Sequence, residues 1–312
     1  MLPILLDPAK FQDALVTAKG EERAHVALRS LETLWFNTGT LCNLTCQNCY
    51  IESSPRNDRL AYLSAAEVRT YLDEIERDGH GTKLIGFTGG EPFMNRDLPA
   101  MLEDVLSRGL KALVLTNAMK PMHRMKAALL GLLARHGDNL TIRVSVDHYE
   151  TALHEQERGA RSWKPTIDGL VWLAQSGFDV HVAGRRFSDE TEAEVRAGYA
   201  RLFAGLGVAI DADSPATLVL FPEIDARVDV PEITTACWDI LKKSPDSVMC
   251  ASARMVVKRK GAARPAVVAC TLLPYDPQFE LGDTLAEGVG AVRLNHPHCA
   301  KFCVLGGAAC SQ

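Results

Sequence analysis

"LETLWFNTGTLCNLTCQNCY", residues Leu31 to Tyr50, joins two patterns in one stretch. Its first half is apolar and rich in Leu, Thr, Trp and Phe, which reads as a β-strand. Its second half places Cys42, Cys46 and Cys49 within eight residues, with three residues inside the first gap and two inside the second. A thiol-rich loop leaving a strand raises two questions: what the strand belongs to, and what three cysteines can hold.

Downstream, the same rhythm repeats about every thirty residues, the signature of βα units and a parallel sheet. "SAAEVRTYLDEIERDG" predicts a helix opened by a Ser64–Glu67 capping box and closed at Gly79, followed by a strand in "KLIGFTGGEP". "NRDLPAMLEDVLSRG" (helix), "KALVLTNA" (strand), "HRMKAALLGLLARHG" (helix), "LTIRVSVD" (strand) and "KPTIDGLVWLAQSG" (helix) continue it. "FDVHVAGRRF" and "ATLVLFPE" give a fifth and sixth strand around the helix "DETEAEVRAGYARLFAGLG". Six such units, with no Gly-x-Gly-x-x-Gly after the first strand, predict a partial (β/α)6 TIM-like barrel of the α/β class. The periodicity fades near Pro222. The expected organisation is an N-terminal extension over 1–30, a barrel core over 31–225 and a small cysteine-rich domain over 226–312.

In a barrel of this kind, chemistry collects where strands end at their C-terminal side. The cysteine loop follows the first strand, "TGGEP" (Thr88 to Pro92) the second, and Thr116 and Asn117 the third; Ser145 and Asp147 close the fourth, Arg185 and Arg186 the fifth.

The chain has 312 residues, 47% hydrophobic and 23% charged, with a net charge of −5. No apolar run approaches the ~20 residues of a membrane span, so no membrane partner is expected, and the charge gives no reason to expect nucleic acid. The start "MLPILLDPAKFQ" lacks a basic leader and meets Asp7 early, so a cytoplasmic chain is expected. Nine cysteines are split between residues 42–49 and 237–310, with none in the 187 positions between. In a reducing compartment such clustering reads as metal or cluster ligation, while Cys237, with no close partner, is as well explained as a small buried hydrophobe.

A structural zinc site takes four protein ligands, and an electron-transfer iron–sulfur cluster usually takes four cysteines. Three local thiols, with the nearest histidine, His80, beyond a helix, leave one metal position open to something other than protein.

"CNLTCQNC" resembles the CxxxCxxC loop of the radical S-adenosylmethionine (SAM) superfamily, and "GGEP" about forty residues later resembles that family's second motif. The resemblance covers residues 33 to 225. It implies a [4Fe-4S] cluster on Cys42, Cys46 and Cys49, with SAM chelating the open iron. It further implies reductive cleavage to a 5'-deoxyadenosyl radical that abstracts hydrogen from a substrate, an oxidoreductase-type radical chemistry fed by a flavodoxin- or ferredoxin-type donor. The SAM-binding residues it implies are Gly89, Gly90, Glu91, Pro92, Asn117, Ser145, Asp147 and Arg185. No protein group is assigned a catalytic role. One departure is Asn48, where the family commonly carries an aromatic residue before the third cysteine.

The C-terminal segment resembles the auxiliary-cluster extensions of the family, the Twitch and SPASM types. "MVVKRKGAARPAVVAC" reads as a hairpin about Lys260 and Gly261 that brings Cys250 and Cys270 together, and a "LGD" turn follows at Leu281 to Asp283. The implied auxiliary [4Fe-4S] cluster takes Cys250, Cys270, Cys299 and Cys303 first and Cys310 as substitute; zinc with His296 or His298 is the competing reading. His148, Tyr149, Arg185 and Arg186 are candidates to line the substrate site. No peptide-recognition domain is visible before Leu31, which favours a small polar metabolite; a maturase acting on a ribosomally made peptide, or a non-catalytic cluster or zinc scaffold, are the alternatives.

Overall fold

Every strand expected from the βα rhythm forms. In the computed structural model, which describes residues 5–222 and 227–307, β2 (Thr33–Asn37), β3 (Leu84–Thr88), β4 (Lys111–Thr116), β5 (Leu140–Ser145), β6 (Asp179–Arg186) and β7 (Leu218–Pro222) lie side by side in chain order. All are parallel, with in-register pairs such as Phe36 opposite Phe87. Parallel strands are covered on both faces and therefore apolar throughout; all five residues of β2 are buried.

Helices cover the outer face. α1 (Ala65–Asp78) carries the expected capping box between Ser64 and Glu67, and Gly79 ends it in the left-handed region at φ 64. α2 (Leu98–Ser107), α6 (Trp163–Gln175) and α7 (Glu192–Leu206) match their expected places. The helix expected over 123–137 is instead a short α3 (Lys120–His123) followed by α4 (Lys126–His136). An additional α5 (Thr151–Arg158) lies between β5 and α6, and α8 (Cys237–Leu241) opens the C-terminal segment.

Among the described residues the barrel does not close: β7 pairs with β6 alone, and the outer edge of β2 is taken by β8 (Ala253–Val257), which runs parallel to it. β9 (Ala266–Val268) and β10 (Glu280–Gly282) extend that edge antiparallel, so the expected hairpin at Lys260 and Gly261 is β8–β9. The cysteine-rich segment thus continues the barrel sheet and adds a second apolar cluster containing Met255, Phe279 and Phe302 together with Trp35 of β2. We propose that the boundary near residue 226 marks the end of the repeat, not of the sheet. The N-terminal residues pack on the same segment, through the buried Arg23–Glu232 ion pair at 2.6 Å and the two-residue ladder of β1 (His25–Val26) with β11 (Val292–Arg293).

Candidate functional site

The cysteine loop leaves β2 and is buttressed by the motif after β3. Gly90 N donates to Gly39 O at 2.8 Å and Glu91 N to Leu41 O at 3.1 Å. A Cβ at Gly90 would lie 2.2 Å from Leu41 O, and one at Gly89, which has φ +137, 2.5 Å from Gly39 O. The two glycines are required so that two backbones can touch. Glu91 is 1% exposed. Its carboxylate accepts from Thr116 Oγ1 at 2.8 Å, Asn117 N at 2.9 Å and Phe93 N at 3.2 Å. It therefore ties the end of β4 to the loop after β3. Burial raises its pKa to about 7 against those hydrogen bonds. Asn117 passes the tie onward, its Nδ2 donating to Asn43 Oδ1 at 3.0 Å inside the cysteine loop.

The loop's far side is held by α5. Gln47 N donates to Glu157 O at 2.8 Å, and Asn48 Nδ2 reaches both Glu157 oxygens at 3.1 and 2.9 Å. The polar residue in the usually aromatic place is thus a structural clasp. α5 also delivers Arg158, whose Nε lies 2.9 Å from Asp147 Oδ2; Arg185 Nε lies 3.4 Å from Asp147 Oδ1 and its Nη1 donates to Asn48 O at 2.9 Å. Burial pushes Asp147 up, but Arg158 and Arg185 outweigh it and hold the carboxyl below its usual range. Arg158 was not foreseen from the sequence.

These groups face a cleft of about 930 Å³, partly open to solvent. One wall is polar: Cys46, Cys49, Thr88, Thr116, Ser145 and the Asp147–Arg158–Arg185 cluster. The same cleft also has apolar lining, from Leu115, Phe221, Pro222, Leu272 and Phe302. Among the expected residues, Gly89, Ser145, Asp147 and Arg185 line it, whereas Gly90, Glu91, Pro92 and Asn117 stand behind, shaping the loop. His148, Tyr149 and Arg186 were candidates for the same cleft and lie elsewhere. His148 and Tyr149 converge on Glu190, and Arg186 pairs at the surface with Glu192 at 3.0 Å.

Cys42 is buried, Cys46 and Cys49 half-buried, and every described cysteine is free. Burial pushes the Cys42 thiol up to about 12, and raises Cys46 against the pull of Arg158. Two amides already point at sulfur: Leu44 N to Cys42 Sγ at 3.4 Å and Ser53 N to Cys49 Sγ at 3.3 Å. The second set lies apart, around a separate cavity. Cys250, Cys270, Cys299 and Cys303 line one cavity of about 310 Å³ walled by Val248, Met249, Phe279, Val292 and Leu294. His296 and His298 are not among its lining residues. Cys237 accepts from Thr234 N at 3.4 Å, outside that set, and Cys310 lies outside the described residues. As the side chains stand, no three His, Cys, Asp or Glu among the described residues converge as a metal cage; the case for metal rests on donor chemistry and grouping.

The Radical SAM superfamily profile matches residues 36–196, half of the chain, and contains both the thiol loop and its buttress. The chain belongs to the radical SAM superfamily. Among curated proteins, the antilisterial bacteriocin subtilosin biosynthesis protein AlbA of Bacillus subtilis is 31% identical over 143 residues, 46% of this chain and 30% of AlbA. The chain thus matches under a third of that relative's length. Among solved structures, Streptococcus suis SuiB bound to its precursor peptide SuiA superposes with a TM-score of 0.59 at 12% identity, over 82% of this chain and 63% of SuiB. Native anSMEcpe with bound AdoMet gives 0.57 at 14%, over 82% and 79%. At such identities the likeness is of fold. The radical SAM superfamily is a family of enzymes that use SAM and a [4Fe-4S] cluster.

The residues present fit that equipment. Three thiols sit on one loop, two of them at the mouth of a cleft whose polar wall ends three strands, and the glycine pair keeps that loop close to the sheet. Among the described residues no helix is long and apolar enough to cross a membrane.

Proposed function

We propose that this radical SAM enzyme binds its SAM-chelating cluster through Cys42, Cys46 and Cys49, carries an auxiliary cluster on Cys250, Cys270, Cys299 and Cys303, and acts on a substrate that presents an apolar group. The observation that carries the first part is the count of three thiols beside an open cleft. When bound, the cluster and SAM supply one-electron cleavage and a carbon radical for hydrogen abstraction. The chain's own residues then have three tasks. Glu91 and Asn117 fix the loop's entry and Glu157 its exit. Ser145 and the Asp147–Arg158–Arg185 cluster orient the cofactor's polar parts. Leu272 and Phe302 exclude water from the cleft, which protects a radical from quenching.

The charges around the cleft are committed to one another: Asp147 to two arginines, Arg185 also to Asn48 O. A small polar metabolite finds few unengaged charges here, while an aliphatic or aromatic side chain meets the Phe221–Phe302 wall. A peptide substrate is therefore the better-supported of the two readings, and it agrees in kind with SuiB and its precursor peptide. A flavodoxin- or ferredoxin-type protein is the expected electron donor.

Anaerobically reconstituted protein with SAM and dithionite is expected to release 5'-deoxyadenosine; none above a protein-free control would contradict the enzyme reading. Peptides with deuterated apolar side chains test the substrate, since deuterium should appear in that product. Transfer from polar metabolites alone would reverse the preference.

A further inference from the structure

Arg254 lies on β8 opposite Leu34 of β2 and is 1% exposed. Its donors are well used: Nε to Gly288 O at 2.7 Å, Nη1 to Cys250 O at 2.6 Å and Ala253 O at 2.8 Å, Nη2 to Gly290 O at 2.9 Å. All these acceptors are neutral carbonyls. The hydrogen bonds are satisfied and the charge is not.

Two other guanidinium groups of the chain face a carboxylate. Arg23 has Glu232 at 2.6 Å and Arg158 has Asp147 at 2.9 Å; among the described residues Arg254 pairs with no carboxylate. A buried cation without a counter-charge is strongly unfavourable, so a persistent one implies an anion close by. What lies close by is sulfur. Arg254 holds the carbonyl of Cys250 itself, and Cys250 shares its cavity with Cys270, Cys299 and Cys303, whose remaining wall is apolar. Four neutral thiols would leave the cation unbalanced. Four thiolates outweigh the positive charge of a cubane iron–sulfur core, so the assembled centre is an anion and becomes more so on reduction.

We propose that Arg254 is the built-in counter-charge of the C-terminal cysteine site, balancing the assembled metal centre and holding its reduction potential up. This rests on the reading of those four cysteines as cluster ligands. Arg254 is a positioning residue: it touches a ligand's carbonyl and acts on the centre through charge.

The test uses the full chain with Cys42, Cys46 and Cys49 replaced by alanine, so that one cluster signal remains. Arg254→Gln and Arg254→Lys are compared by iron content and by potentiometric titration followed by electron paramagnetic resonance. The expected result is a more negative midpoint potential, or selective loss of iron, in Arg254→Gln, with Arg254→Lys staying close to the parent. Equal potentials in all three proteins would overturn the proposal. So would equal shifts or equal iron loss in both variants, which would make Arg254 a prop for the Gly288–Gly290 turn. Absence of iron from the parent with the first set replaced would overturn the cluster reading as well, an outcome separable because it appears before Arg254 is touched.

Discussion

The two cysteine sets differ in number, setting and electrostatics. Cys46 and Cys49 open onto a large cleft whose polar wall includes Asp147, Arg158 and Arg185. Cys250, Cys270, Cys299 and Cys303 line a cavity about a third that size with apolar walls, and the Arg254 guanidinium donates to the Cys250 carbonyl. A three-thiol site beside a polar cleft would leave a coordination position for a small molecule; a four-thiol site walled by Val, Met, Leu and Phe would leave none. The difference teaches that ligand count and surroundings agree: the site with an open position has the polar cleft.

The largest expected effect breaks the first half of that comparison. Alanine at Cys42, Cys46 and Cys49 together should reduce SAM cleavage to the level of a protein-free control, measured as 5'-deoxyadenosine. Replacing Cys250 and Cys270 should do something different: about half of the iron disappears, by loss of one of two [4Fe-4S] units, while SAM cleavage without substrate remains measurable. If cleavage is lost in both, the two sets do not have separate roles.

Next in size is the cluster of charges behind the first set. Arg158→Met leaves Asp147 buried with Arg185, at 3.4 Å, as its one remaining arginine, and breaking a buried pair outright costs about 3–5 kcal/mol, an upper bound here. The denaturation midpoint of the metal-free protein should fall accordingly with an unchanged slope; a change within error would mean that Arg185 alone suffices.

Glu91 gives a smaller, pH-dependent effect. Its folded pKa is raised to about 7 from a reference of 4.5, so between those values the native state holds more proton than the unfolded chain. Stability contributed by the protonated form is therefore present below about pH 4.5 and is lost as pH rises toward 7, up to about 3 kcal/mol. Glu91→Gln should flatten that dependence, read from urea unfolding at pH 5 and 7.5. A slope equal to the parent's would assign it to other groups. The smallest effect is a control remote from both sets: Ser64→Ala removes the α1 capping box at a cost of about 1 kcal/mol and should leave iron content unchanged.

Much of this was legible in the sequence because its signal is local. The strands are apolar runs, α1 announces both of its ends, and the thiol loop follows a strand. α5 was not legible because its buried residues are His154 and Glu157, so no apolar period marks it, and Arg158 was missed with it. The bonds that Glu91 accepts from Thr116 and Asn117 were not legible because a motif gives residue types but not which side of the loop they take. The pairing of β8 with β2 was invisible for another reason: the two strands are more than two hundred residues apart, and hydrophobic pattern carries no record of its partner. Arg254 was not legible for the same reason, since its burial follows from that distant pairing.

The central claim, two clusters on two separate cysteine sets, is tested most directly by iron and sulfide analysis after anaerobic reconstitution. The account predicts about eight irons in the parent chain and about four when Cys42, Cys46 and Cys49 are alanine, from two [4Fe-4S] units. Stoichiometric zinc in the parent, or no iron remaining after that triple substitution, would contradict it.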